Sequence, residues 1–174
     1  RFALIIGTLA LALSFAVPAM AGLDEHLQDL APFVGKTYMG EFTDAASGRK
    51  AVDVQVWEET LGGKAVRVTH SLNQGEYGGE SIIFWDGKLE KVAFYYFTTA
   101  GFYTHGTMQL EGGVFTAVEM VEGDSSGITE VRSSSTLLDD GRLHMKSQYL
   151  QDGEWVPGHE IFYTEAPDAE LVFK

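Results

Sequence analysis

From Lys36 to Thr164 the chain alternates apolar and polar residues with period two, and glycine breaks the alternation at short intervals. Successive side chains of a β-strand point to opposite faces, so this rhythm selects strands, and a helical pattern would need apolar residues three and four apart. Asp86-Gly87, Asp140-Gly141 and Asp152-Gly153 stand between such runs, as do Gly62-Gly63 and Gly112-Gly113. Asp and Gly reach the positive φ of a tight hairpin turn at low cost, so each pair marks a reversal of direction. The alternation predicts strands over 36–43, 51–59, 64–72, 79–85, 91–98, 102–111, 114–121, 128–137, 142–150 and 155–164.

About ten antiparallel strands joined by tight turns would leave two unpaired edges if the sheet stayed open; closing it into a barrel removes both. The expected fold class is therefore all-β: a closed antiparallel up-and-down barrel, with a β-sandwich as the alternative. One segment departs from the rhythm. Leu23, Leu27 and Leu30 share a helical face, with Asp24 and Glu25 at the start, where the helix dipole favours negative charge. This predicts one short N-terminal helix ending before Pro32, as a plug or lid on the barrel.

The first 21 residues read differently. Arg1 precedes an uncharged apolar stretch from Phe2 to Val17, and Pro18 leads into Ala19-Met20-Ala21, a small-x-small pattern. That combination predicts a cleavable secretory signal peptide over 1–21 and a periplasmic or secreted protein. A retained membrane anchor would call for a longer run, about 20 residues, ended by basic residues, but Gly22-Leu23-Asp24-Glu25 follows. Residues 22–174 are then expected to form a single barrel domain, of a size that supports one core. The chain has no cysteine, so neither disulfides nor thiolate ligands enter the reading. Its formal net charge of −13 argues against nucleic acid or an anionic membrane as partner.

Catalytic signatures are missing. There is no G-x-S-x-G elbow, no phosphate-binding glycine loop, and no H-E-x-x-H or EF-hand spacing. In His159-Glu160 the position of a second zinc-binding histidine holds Tyr163. His70, His105, His144 and His159 are scattered singly over predicted strands.

Polar strips are more informative. In 128–137 neither face is convincingly hydrophobic, and in 64–72 the faces read Val66, Val68, His70, Leu72 against Ala65, Arg67, Thr69, Ser71. A polar strip turned into a barrel of this size lines a ligand-sized space. A buried arginine must be paired, so Arg67 and Arg132 are candidates to meet Glu130, Glu119 or a ligand carboxylate, unless both face solvent. Aromatics supply the apolar walls. Tyr95 and Tyr96 are neighbours on one strand, so one belongs to the wall and the other to the surface. The expected ligand-binding set is Arg67, His70, Tyr96, His105 and Arg132.

Several stretches resemble a known superfamily. Gly35-Lys36-Thr37-Tyr38-Met39-Gly40-Glu41-Phe42 is similar to the first-strand signature of lipocalin-like and fatty-acid-binding-like (calycin) barrels, with Thr37 or Tyr38 where a tryptophan is usual. Glu58-Glu59-Thr60-Leu61-Gly62-Gly63-Lys64, followed by Val66 and Arg67, resembles the turn of small exported bacterial proteins of this superfamily. Phe84-Trp85-Asp86, Tyr95-Tyr96-Phe97 and Thr104-His105-Gly106-Thr107 follow in the order expected there. The resemblance implies a barrel that holds a small molecule. Haem-binding members, the nitrobindin-like barrels, carry an iron-ligating histidine near the last strand, and His159 lies in the corresponding region. Three functions follow as expectations: an exported barrel binding a small, partly apolar ligand in its lumen; a haem protein or lumen-site enzyme using His159 or His105; and an interaction protein with a filled lumen.

Overall fold

The computed structural model describes residues 22–43 and 48–174, so the expected signal peptide at 1–21 lies outside the described residues. Ten strands follow in chain order: β1 (Thr37–Thr43), β2 (Lys50–Thr60), β3 (Ala65–Leu72), β4 (Tyr77–Asp86), β5 (Lys91–Thr98), β6 (Tyr103–Glu111), β7 (Val114–Glu122), β8 (Ile128–Leu137), β9 (Leu143–Gln151) and β10 (Glu154–Glu165). Each pairs antiparallel with its neighbours in sequence, and β1 pairs with β10 to close the barrel. The all-β up-and-down barrel read from the alternation is the fold observed, and the strand limits fall within two residues of those expected.

The turns form where the dipeptides require them. Asp152 and Gly153 both have positive φ, 51° and 84°, which lets β9 reverse into β10. Asp86 instead accepts from the amides of Lys88 and Leu89 at 2.8 and 2.9 Å, holding the β4–β5 turn by its side chain.

The N-terminal segment is a correction. Glu25–Leu30 forms a six-residue 3-10 helix rather than an α-helix. Between the cap at Asp24, whose carboxylate accepts from the His26 amide at 3.1 Å, and Pro32 there is room for barely two turns, too short for a stable α-helix. Its leucines still do what their spacing foretold. Leu27 and Leu30 are fully buried and, with Phe33, close one end of the barrel. The Phe33 ring meets Trp57 at 5.2 Å and Phe115 at 5.1 Å. Asp24 N–H donates to Gly63 O at 2.8 Å, tying the plug to the β2–β3 connection, and His26 stacks on Trp85 at 3.7 Å.

Candidate ligand-binding lumen

Above the plug the barrel interior is open, leaving a cavity of about 780 Å³. Its walls follow from strand parity. On β2 the inward strip is Ala51, Asp53, Gln55, Trp57; on β3 it is Val66, Val68, His70, Leu72; on β7 it is Phe115, Ala117, Glu119, Val121. Each interrupts an apolar strip with one or two polar groups, so the lumen is mostly apolar with polar side chains set into it.

The first polar group is a relay across β2, β3, β4 and β5. Asp53 is buried, and its Oδ1 lies 2.8 Å from His70 Nδ1. His70 Nε2 lies 2.7 Å from Tyr96 Oη, which lies 2.9 Å from Tyr77 Oη. The other Asp53 oxygen accepts from Tyr163 Oη at 2.8 Å and from Gln55 Nε2 at 3.3 Å. With these partners a carboxylate is tolerated away from water. Burial pushes the Tyr77 phenol up to about 12 and raises Tyr96 and Tyr163 well above their ordinary range, so all three stay protonated and remain donors at neutral pH.

Space for Tyr96 comes from Gly79, its near neighbour on β4. A Cβ there would collide with the Tyr96 ring and with the carbonyl of Phe97. The close approach, rather than any unusual φ, requires glycine.

A second polar group stands on β6 and β7. Glu119 Oε2 accepts from Thr104 Oγ1 at 2.5 Å. Burial raises the Glu119 carboxyl above its ordinary 4.5, and Thr104 only partly offsets this. Ser133 and Ser135 on β8 and Ser147 and Tyr149 on β9 add hydroxyls to the adjoining stretch of wall. The strand β10 is bulged between Pro157 and Glu160, and Val156, Pro157, Gly158 and His159 all border the lumen there. The His159 ring packs against Phe42 at 4.7 Å and Tyr149 at 5.7 Å, and its amide donates to Ser147 Oγ at 2.9 Å.

Of the five residues expected to line a ligand site, two border the lumen. His70 and Tyr96 face the lumen and touch each other. The other three are placed on the outer wall, which corrects the expectation. Arg67 pairs with Glu58 at 2.8 Å across β2 and β3. Arg132 pairs with Glu130 at 3.1 Å and lies 4.1 Å over the Trp155 ring. His105 is 40% exposed, 3.7 Å from Glu122, and stacks with Tyr95 at 5.7 Å. The physical reason is parity: Arg67 and His70 stand three apart on one strand and cannot share a face. Likewise Tyr96 pairs with Thr104, which puts His105 beside the outward Tyr95. Asp53, Gln55, Tyr77 and Thr104 also line the lumen without having been singled out in the sequence, and Glu119 lines it where the sequence suggested only a partner for a buried arginine. Phe115-Ala117-Glu119-Val121 was the available signal, a carboxylate alone on an otherwise apolar face.

The fold and the site thus define a closed ten-stranded antiparallel barrel, plugged at one end and hollow above. Among solved structures, that of Rv2717c from M. tuberculosis is similar to it: the TM-score is 0.61 at 14% sequence identity, over 83% of this chain and 99% of that one. At that identity the likeness concerns the fold. No family model matches the chain, and no curated protein matches it either.

Proposed function

We propose that this protein is an exported binding protein that holds a small, partly apolar molecule in the barrel lumen. The observation that carries the reading is the cavity of about 780 Å³ above the plug, within the range of roughly 300–1,000 Å³ of small-molecule sites. An interaction protein with a filled lumen would have closed that space with side chains. Aromatic and aliphatic walls, from Phe42, Trp57, Phe94 and Ile161, would take the apolar body of a ligand. The tyrosine hydroxyls and serines would orient its polar end. Placement among the lipocalin-like barrels belongs to the same proposal, supported by barrel closure and by the Gly35–Phe42 stretch; export rests on the pattern of residues 1–21.

Titration with N-phenyl-1-naphthylamine, an uncharged probe that fluoresces in apolar surroundings, tests this reading. Saturable enhancement at one probe per chain, weakened in Ser133→Trp, is expected, because Ser133 borders the lumen and a large ring there takes up part of it. Enhancement that survives Ser133→Trp unchanged would place binding elsewhere.

A second reading has one observation in its favour. His159 borders the lumen, so an imidazole is available as an axial ligand to haem iron. The rest of the donor set does not fit. Haem carries two propionates, and no Lys or Arg is found among the described lining residues to receive them. Among the described residues no cluster of His, Asp and Glu could hold a bare metal ion.

A further inference from the structure

The charge of the lumen is one-sided. Asp53, Glu119 and Asp124 border the cavity, and no Lys or Arg does among the described residues. The cations that sequence reasoning placed there, Arg67 and Arg132, are paired with Glu58 and Glu130 on the outer wall. A fatty-acid-like carboxylate would therefore enter a cavity that repels it and offers no counter-ion. An organic cation meets the opposite situation.

The two deep carboxylates are not equivalent. Asp53 is saturated by His70, Tyr163 and Gln55. Among the described residues Glu119 has one hydrogen-bond partner, Thr104, on Oε2. Its desolvation is compensated far less, and a cation brought to it would supply the missing charge. Tyr77, Tyr96, Phe102 and Tyr149 border the same cavity, and aromatic faces attract ammonium groups.

We propose that the lumen takes an amphipathic organic cation, an amine with an apolar body, whose nitrogen sits against the Glu119 carboxylate. The inference rests on the lumen-binding reading above and adds the ligand's charge. In the pH window between the ordinary 4.5 and the value raised by burial, amine binding is accompanied by release of a proton from this carboxyl.

The test is a calorimetric titration of the intact mature protein with decylamine, decanol and decanoate, each below its aggregation limit, in buffers of different ionisation enthalpy. Decylamine should bind about tenfold or more tightly than decanoate, with a heat that varies with the buffer. Glu119→Gln should weaken decylamine about tenfold or more and decanol far less. Decanoate binding as tightly as decylamine, or Glu119→Gln leaving decylamine unaffected, overturns the assignment of charge while lumen binding stands. Failure of all three probes to bind removes the lumen-binding reading and this inference with it. The comparison of the three probes on the unaltered protein decides the matter even if Glu119→Gln does not fold.

Discussion

His70 Nδ1 lies 2.8 Å from Oδ1 of the buried Asp53, joining β3 to β2 on the inner face of the barrel. The contact fixes the imidazole with its other nitrogen toward Tyr96, and through Tyr96 it reaches Tyr77. Asp53 also receives the Tyr163 hydroxyl from β10, so one carboxylate ties together strands on both sides of β1. Replacing it leaves three donors, on His70, Tyr163 and Gln55, without their acceptor. Asp53→Ala should lower unfolding stability by about 2–4 kcal/mol, read as a fall in urea midpoint at unchanged slope. A midpoint equal to that of the parent protein would show that the relay adds nothing to the fold.

Glu119 gives a pH dependence of definite sign. Its folded-state value is raised above the ordinary 4.5 by burial. Between the unfolded and folded values the native state binds the extra proton, so stability falls as pH rises through that window. Below 4.5 both states are protonated and the penalty is absent. Glu119→Gln should thus be more stable than the parent at pH 7 and no more stable at pH 4. Thermal melts at the two pH values check this, and a difference of equal size at both would contradict it.

Phe33 is 1% exposed and holds the plug against Trp57 and Phe115. Phe33→Ala should cost about 3–5 kcal/mol, and solvent reaching Trp57 should red-shift its emission. A stability loss without that shift would mean that the plug stays seated.

Gly79 was legible in sequence only as a residue near the start of a strand. In the barrel it makes way for the Tyr96 ring. Gly79→Ala should cost about 1–3 kcal/mol and weaken N-phenyl-1-naphthylamine binding, because Tyr96 must leave its contact with His70. Retained affinity would show that Tyr96 plays no part in the site.

The one-sided charge bears on haem as well. Hemin brings propionates to a lumen bordered by carboxylates, so its titration should give no Soret shift that depends on His159. A shifted band lost in His159→Ala would restore the second reading.

Period-two alternation made nearly all of the fold readable, because strand and turn are local properties written in side-chain parity and in pairs such as Asp152-Gly153. The site was readable only in part. Parity divides a strand into two faces without saying which is inward, and that choice depends on pairing across the barrel. Arg67 and His70 show the difficulty: both are polar on a mixed strand, and only the closed sheet sends His70 in and Arg67 out to Glu58. On β8 the arginine is satisfied by Glu130 two residues away and by the Trp155 face. Nothing local distinguishes that outer-wall pairing from a lumen one. The 3-10 form of Glu25–Leu30 was hidden for another reason, since leucine spacing does not separate α from 3-10 geometry over so few residues.

Native mass spectrometry of the protein isolated from its producing cells shows whether the lumen carries a molecule. A population heavier than the bare chain by one small molecule is expected, released on collisional activation and reduced in Ser133→Trp. A single mass equal to the bare chain, from protein that also fails to take up N-phenyl-1-naphthylamine, would contradict lumen binding.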